Sequence, residues 1–337
     1  MARDETITRE RLDALLHLPD TPRASLEEPG LAVISDLHMG AGGPADNFRG
    51  NEAALMQALA AYRERGRRLV LLGDTEELWQ FDLPEVRRHR RPVYSRLRDF
   101  GPAGVLRVWG NHDDMWARPD AEDPSGAGPA SEAILVETAG RPMLMVHGHQ
   151  GSLESDLLGG VSRLLVRLFR CFEGPWMVLM KALRLYRKPS TMTRIRRDFE
   201  RVMYRWAVER NTVLVCGHSH RAVFASRSQA ERLRAHIRYL RDLLSMVPPE
   251  APEAAEMRLE LRCAARELRR ERRRGRDFAS VAEGDAAPAY FNSGCGLYRE
   301  GMTALELDPS EARLVKWGNR RGDREVYHRM PMEHILW

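Results

Sequence analysis

The chain has little cysteine, no long apolar run and no decisive surplus of either charge, and each shortage removes a class of protein. Its four cysteines, Cys171, Cys216, Cys263 and Cys295, form no C-x-x-C pair and stand at long, irregular spacings. That argues against a zinc ribbon and against a disulfide framework, so buried thiols in a reducing compartment are expected. No 18-residue apolar stretch occurs, which argues against a membrane-spanning helix. The first residues, "MARDETITRERLDALL", are charged throughout without an apolar signal core, and a cytoplasmic location is expected. Lys and Arg number 53 against 48 Asp and Glu, a net +5 that permits anionic partners without naming one. At 337 residues the chain is long enough to bury a full core in one large domain or two.

What is present is a set of short apolar runs of strand length. They are "GLAVISDLH" (30–38), "RRLVLLGDTEE" (67–77), "GVLRVWGNHDD" (104–114), "RPMLMVHGHQ" (141–150) and "NTVLVCGHSH" (211–220). Nearly continuous apolar character predicts strands buried on both faces. "NEAALMQALAAYRERG" between the first two has a helical pattern with a Gly stop, so strand, helix and strand predict an α/β layered fold. "YFNSGCGLYREGMTALELDPSEARLVKWG" (290–318) reads as two more strands joined by an Asp-Pro-Ser turn.

Two stretches break this rhythm. Residues 152–210 carry a helical apolar face that includes Leu153, Leu157, Val161, Leu164, Leu168 and Phe172. Within 163–205, 12 Arg and Lys face 3 Asp and Glu, so the basic character of the chain is concentrated there. Residues 226–277 repeat apolar side chains at heptad-like spacing on both sides of "VPPEAPEA", which predicts an antiparallel helical hairpin.

Each of the five strand-like runs ends in a possible metal ligand. These are Asp36 and His38, Asp74, Asn111 with His112, His147 with His149, and His218 with His220. Sites in α/β sheets form outside the carboxyl ends of strands, so the five ends point to one centre. Carboxylate, imidazole and amide oxygen suit Mn²⁺, Fe²⁺ or Zn²⁺, and the lack of thiolate disfavours a structural zinc site.

The order D-x-H, G-D, G-N-H-D, H-G-H and G-H-x-H, spanning 31–221, resembles the calcineurin-like metallophosphoesterases. The resemblance implies a four-layer α/β/β/α sandwich over 30–337, after an N-terminal extension at 1–29. A basic helical cap (152–210) and a helical hairpin (226–277) would be insertions in it. It implies two divalent metal ions, Mn²⁺ first among the choices. Asp36, His38 and His220 would bind one, Asn111, His147 and His218 the other, and Asp74 would bridge them. The chemistry implied is hydrolysis of a phosphoester or pyrophosphate by a hydroxide formed between two metals. His112 would protonate the leaving group, and Glu77 would orient it; a carboxylate at a helix N-terminus is the plainer reading of Glu77. His149 would face substrate or support a ligand. Arg221 would contact a phosphate with its fork or lie on the surface. Asn292, Ser293 and Gly294 in "YFNSGC" resemble a family segment and read as a backbone turn beside the site.

"GDTEELW" and "GHSHRA" are similar to blocks of UDP-2,3-diacylglucosamine pyrophosphohydrolases. The chain departs from those enzymes in having His112 where they carry arginine, and H-G-H where they carry H-G-D. The resemblance implies a lipid-linked phosphoester substrate and peripheral contact with an anionic membrane. Three other readings stay open: a soluble phosphatase or phosphodiesterase, a nucleic-acid enzyme drawing on "RELRRERRRGR", and a non-catalytic metal-binding scaffold. The oligomeric state is not legible.

Overall fold

The structure is a computed structural model that describes residues 2–150, 190–247, 252–273, 287–298, 301–320 and 322–337. Helix α1 (Ala2–His17) leads to strands β1 (Arg23–Ser25) and β2 (Leu31–Ile34), helix α2 (Glu52–Glu64) and strand β3 (Arg68–Leu72). Helices α3 (Leu83–His89) and α4 (Arg91–Arg98) precede β4 (Val105–Val108), β5 (Ala133–Glu137) and β6 (Met143–Val146). Helix α5 (Ser190–Glu209) is followed by β7 (Val213–Cys216), β8 (Ala222–Phe224) and β9 (Arg227–Ser228), then by helices α6 (Gln229–Met246) and α7 (Pro252–Arg273). The last elements are β10 (Tyr290–Ser293), β11 (Met302–Leu307), β12 (Glu311–Trp317), β13 (Arg324–Pro331) and α8 (Glu333–Leu336).

The strands form two mixed sheets, ordered β1-β5-β6-β7-β10-β8-β9 and β13-β12-β11-β2-β3-β4. Within them β2, β3 and β4 run parallel, as do β6, β7 and β10. All five strands expected ahead of the ligand motifs are present. The period of two along each strand then sorts the core. Leu31 and Val33 join Ile134, Met145 and Val215 between the sheets. Ala32 and Ile34, one residue out of phase, pack instead with Leu55 and Leu59 of α2 and Leu97 of α4. On the outer face of the seven-stranded sheet, Leu144, Val146 and Leu214 meet Leu12 and Leu15 of α1 and Trp206 of α5. Trp206 is fully buried and donates from Nε1 to Asp13 Oδ1 at 2.9 Å, tying α1 to α5. Truncating such a residue costs about 3–5 kcal/mol.

Two expectations need adjustment. Residues 290–318 hold three strands, because β10 leaves for the seven-stranded sheet while only β11 and β12 pair across the Asp308-Pro309-Ser310 turn. The helical hairpin opens at Gln229 rather than 226, since Ser226 lies in the turn between β8 and β9, β9 belongs to the sheet, and Ser228 with Glu231 forms a capping box. Leu233 and Ile237 of α6 then pack on Ala264 of α7. Most of the expected basic cap, residues 151–189, lies outside the described residues; α5 is its described end. No described helix is long and apolar enough to cross a membrane, and the described cysteines Cys216, Cys263 and Cys295 are free thiols.

Candidate metal centre

The loops that follow β2, β3, β4, β6 and β7 bring the motif side chains together at one edge of the two sheets. The backbone turns sharply there. Asp36, His38, Asp74, His218 and His220 all have positive φ, between 48° and 64°. Non-glycine residues enter this left-handed region at a cost, and surrounding contacts must hold them there. The contacts are visible. Asp36 N donates to Gly73 O at 3.0 Å, and His38 N to Asp74 O at 2.9 Å. His218 N donates to both carboxylate oxygens of Asp36, at 3.0 and 2.9 Å. Gly73, with φ of 81°, is required because a Cβ there would overlap the His147 ring. Gly110 is required because a Cβ would overlap Asp74 Oδ1.

Among the described residues, three groups place their donor atoms within 4.8 Å of one another: Asp36, His38 and His220; Asp74, His147 and His218; and His38, Glu77 and His112. In the first, His38 Nε2 is 3.0 Å from His220 Nε2, and His220 Nε2 is 3.2 Å from Asp36 Oδ1. In the second, His147 Nε2 is 3.1 Å from Asp74 Oδ2. That same Asp74 oxygen lies 3.6 Å from His38 Nε2, so it faces both groups. Asn111 is buried beside them, and its Oδ1 has no hydrogen-bond partner.

The third group surrounds His112. Glu77 Oε1 is 2.8 Å from His112 Nδ1, and Oε2 is 3.0 Å from His38 Nδ1. One carboxylate therefore orients two imidazoles, a second role that sequence spacing did not reveal. Glu77 sits in an irregular turn, not at a helix N-terminus, which corrects the plainer reading of it. Trp79 stacks on His112 with ring centroids 4.1 Å apart, and its Nε1 donates to Asn111 O at 2.7 Å.

Charge and burial set the proton affinities. Burial alone would raise Asp74 and Glu77, but the histidines facing them reverse this. Asp74 stays well below its usual range and Glu77 falls to about 2. Burial would lower His38 and His147, yet the carboxylates around them lift these to about 9 and about 10. His218 is pushed down to about 3 by burial and by His147, and His149 falls well below its usual value for the same reasons.

The remaining candidates lie at the margin. His149 is buried beside Trp109, with ring centroids 5.0 Å apart, and 5.6 Å from the His147 ring. Arg221 is not a surface side chain: it is buried, with Nη2 2.6 Å from Glu200 Oε2 of α5. Asn292 and Ser293 end β10 and act as ties rather than as a free turn. Asn292 Nδ2 donates to Gly217 O at 2.6 Å, and Ser293 Oγ is 2.6 Å from Ser35 Oγ. Sequence reasoning missed two supports. Asp113 accepts backbone N–H groups from both neighbouring loops, and Glu200 accepts from Ser219 Oγ at 2.7 Å. Asp113 stands two residues after Asn111, so its place in "GNHDD" was a usable signal; Glu200 had none.

Residues 30–237, well over half of the chain, match the calcineurin-like phosphoesterase superfamily domain. The chain belongs to this superfamily. Membership places it among metal-dependent phosphoesterases, as the motif order predicted. It is also similar to UDP-2,3-diacylglucosamine hydrolase of Chromobacterium violaceum, 32% identical over 115 residues. That match spans 34% of this chain and 46% of the relative, so under half of the relative's length is covered. Among solved structures, Vacuolar Protein Sorting 29 from Cryptosporidium parvum aligns with 89% of this chain and 96% of its own, at 12% identity and a TM-score of 0.38. A conserved uncharacterized protein of Streptococcus pneumoniae, titled a predicted phosphoesterase, covers the same shares at 12% identity and a TM-score of 0.32.

The residues present suit the superfamily's metals. His147 donates from Nδ1 to Leu72 O at 2.9 Å, and the Nδ1 of His38 is engaged by Glu77, so both keep Nε2 for a cation. The partnerless Asn111 Oδ1 is a further donor in want of one.

Proposed function

We propose that the chain hydrolyses a phosphoester or pyrophosphate bond at this centre with two divalent ions, Mn²⁺ ahead of Fe²⁺ or Zn²⁺. The position of Asp74 Oδ2, 3.1 Å from His147 Nε2 and 3.6 Å from His38 Nε2, carries the reading. On it, Asp36, His38 and His220 hold one ion, Asn111, His147 and His218 the other, and Asp74 serves both. Two such ions, when bound, polarise a phosphoryl group and activate water at neutral pH. The chain's own groups do the rest. Glu77 fixes His112 through Nδ1, which leaves Nε2 to protonate the departing oxygen. Asn111 adds a neutral oxygen and so spares an anionic substrate one more negative charge.

The substrate we favour is an acylated nucleotide of the UDP-diacylglucosamine kind, met at the cytoplasmic face of an anionic membrane. The hydrolase relative supports this. So does the apolar wall of a cavity of about 500 Å³ beside His112, where Leu78, Trp79, Phe81, Leu83, Pro84 and Met115 stand with Arg118, Asp82 and Asp114. The basic residues of 163–205 favour anionic headgroups, each worth about 1 kcal/mol near such a surface.

The test is hydrolysis with Mn²⁺ of UDP-diacylglucosamine, an aryl phosphodiester, an aryl phosphomonoester and single-stranded DNA. The acylated nucleotide is expected to show the highest kcat/KM. Turnover of none of the four sinks the enzyme reading. A preference for soluble diesters or DNA sinks only the lipid reading, as does a failure to sediment with anionic vesicles.

A further inference from the structure

A buried arginine lies behind the metal centre and touches none of its donors. Arg107, on β4, has no exposed side-chain surface. Its guanidinium meets three carboxylates: Nη2 donates to Glu76 Oε2, Nη1 to Asp123 Oδ1 at 2.9 Å, and Nη2 lies 3.5 Å from Asp113 Oδ2. The Trp116 ring lies 4.5 Å from the guanidinium carbon. Glu76 also accepts from Tyr94 Oη at 2.9 Å and Trp116 Nε1 at 3.0 Å. Charges so buried persist only when paired, and losing one partner strands the others.

Asp113 connects this cluster to the site. Its Oδ1 accepts from Gly110 N at 2.6 Å and Asp74 N at 3.2 Å, and its Oδ2 accepts from Thr75 N at 2.8 Å. Two loops thus converge on one carboxylate, one carrying Asp74 and the other Asn111 and His112. Asp74 Oδ1 closes the circuit by accepting from His112 N at 2.8 Å. On its far side, residues 73–75 are bonded to the loop of Asp36 and His38.

We propose that Arg107 and Asp123 are positioning residues of the metal centre, holding Asp113 where it sets the spacing between Asp74 and Asn111. Neither touches a donor atom; Arg107 lies on the strand that leads into the G-N-H-D block but outside the block, and Asp123 lies outside every block the sequence singled out. Without the guanidinium, Glu76, Asp113 and Asp123 repel one another, and Asp113 leaves the three N–H groups it gathers. The two ligands it spaces then lose their separation. Asp123 acts one step further out, since it holds the second arm of the fork.

The proposal rests on the two-metal reading and is tested on the full chain by Mn²⁺ titration calorimetry. Apo-protein melting temperatures are measured alongside. Asp123→Asn is nearly isosteric and is expected to keep the fold while weakening Mn²⁺ binding about 10–100-fold, the usual cost of losing a ligand's support. Arg107→Met is expected to weaken it more, and Arg107→Lys to fall between. A purely structural role lowers the melting temperature and leaves the affinity of the folded protein unchanged; that result overturns the proposal. If Arg107→Met fails to fold, Asp123→Asn decides alone. Wild-type protein that binds no Mn²⁺ overturns both this proposal and the two-metal reading, whereas tight wild-type binding with unaltered variants overturns this proposal only.

Discussion

The two sheets serve the site in different ways. The loops from the six-stranded sheet, carrying Asp36, His38, Asp74, Asn111 and His112, are bonded to one another through backbone groups and the Asp113 carboxylate. The loops from the seven-stranded sheet carry His147, His218 and His220; one backbone bond, Gly217 N to His147 O at 2.9 Å, joins them, and side chains do more of the holding. Asn292 of β10 reaches Gly217 O, and Glu200 of α5 takes Ser219 and Arg221. One half is stiff by its own pairing. The other leans more on side chains, Asn292 of the adjacent strand β10 and Glu200 of the helix that follows residues 151–189. Changes inside the first half should therefore reach bridging and proton transfer as well as metal affinity, whereas changes around the second should act on metal affinity alone.

The largest break in this contrast is Asp74→Asn, because the bridge belongs to the stiff half yet faces both. Elemental analysis is expected to find at least one ion lost and activity at background; two retained ions with full activity would contradict the bridge. His112→Ala comes next. Metal content is expected to stay while the rate falls about 10²–10⁴-fold, with a smaller loss on substrates that have good leaving groups. A uniform loss across a leaving-group series would remove His112 from the proton-transfer step.

Glu200→Gln probes the outward-held half. Mn²⁺ affinity is expected to drop about 10–100-fold, with the rate at saturating Mn²⁺ close to wild type. A fall in that saturated rate instead would show that both halves respond alike. Trp79→Phe keeps the ring on His112 but removes the bond to Asn111 O, worth about 1 kcal/mol. A several-fold change in Mn²⁺ affinity is expected by the same titration.

The smallest effect belongs to His328 on β13, an edge strand of the six-stranded sheet that carries none of the candidate ligands. Burial and then Arg232 push its folded value down to about 3, so it is neutral in the fold. Its contribution to stability is present above the unfolded value of about 6.5 and is lost as the pH falls toward 3. His328→Gln is expected to flatten stability against pH in that window, by urea titration, without altering activity at pH 7.

The site was more legible than the scaffold because each ligand follows an apolar run that cannot be mistaken for surface. The sheet edges gave weaker signals. β13, "REVYHRMP", lies on an edge with its side chains exposed or only half-buried, so it lacks the alternation that marks a strand with one face in the core. β1 is only three residues long. Helix α1 hides its few apolar contacts, Leu12 and Leu15 among them, in a run of charge. Arg221 and Glu200 are 21 residues apart and meet across α5 and the β7–β8 loop, a pairing that no local pattern encodes.

Glu76 and Glu77 are adjacent, yet one serves the buried arginine and the other the two histidines. Loop length between Gly73 and Trp79 is consequently a parameter of the enzyme in its own right. Deleting or inserting one residue ahead of the pair shifts its register, sending one carboxylate into the space shaped for the other and displacing the second from both, even though the composition is nearly unchanged. Grafting this loop onto another scaffold, or trimming it to stiffen the protein, must keep the count before it keeps the residue types.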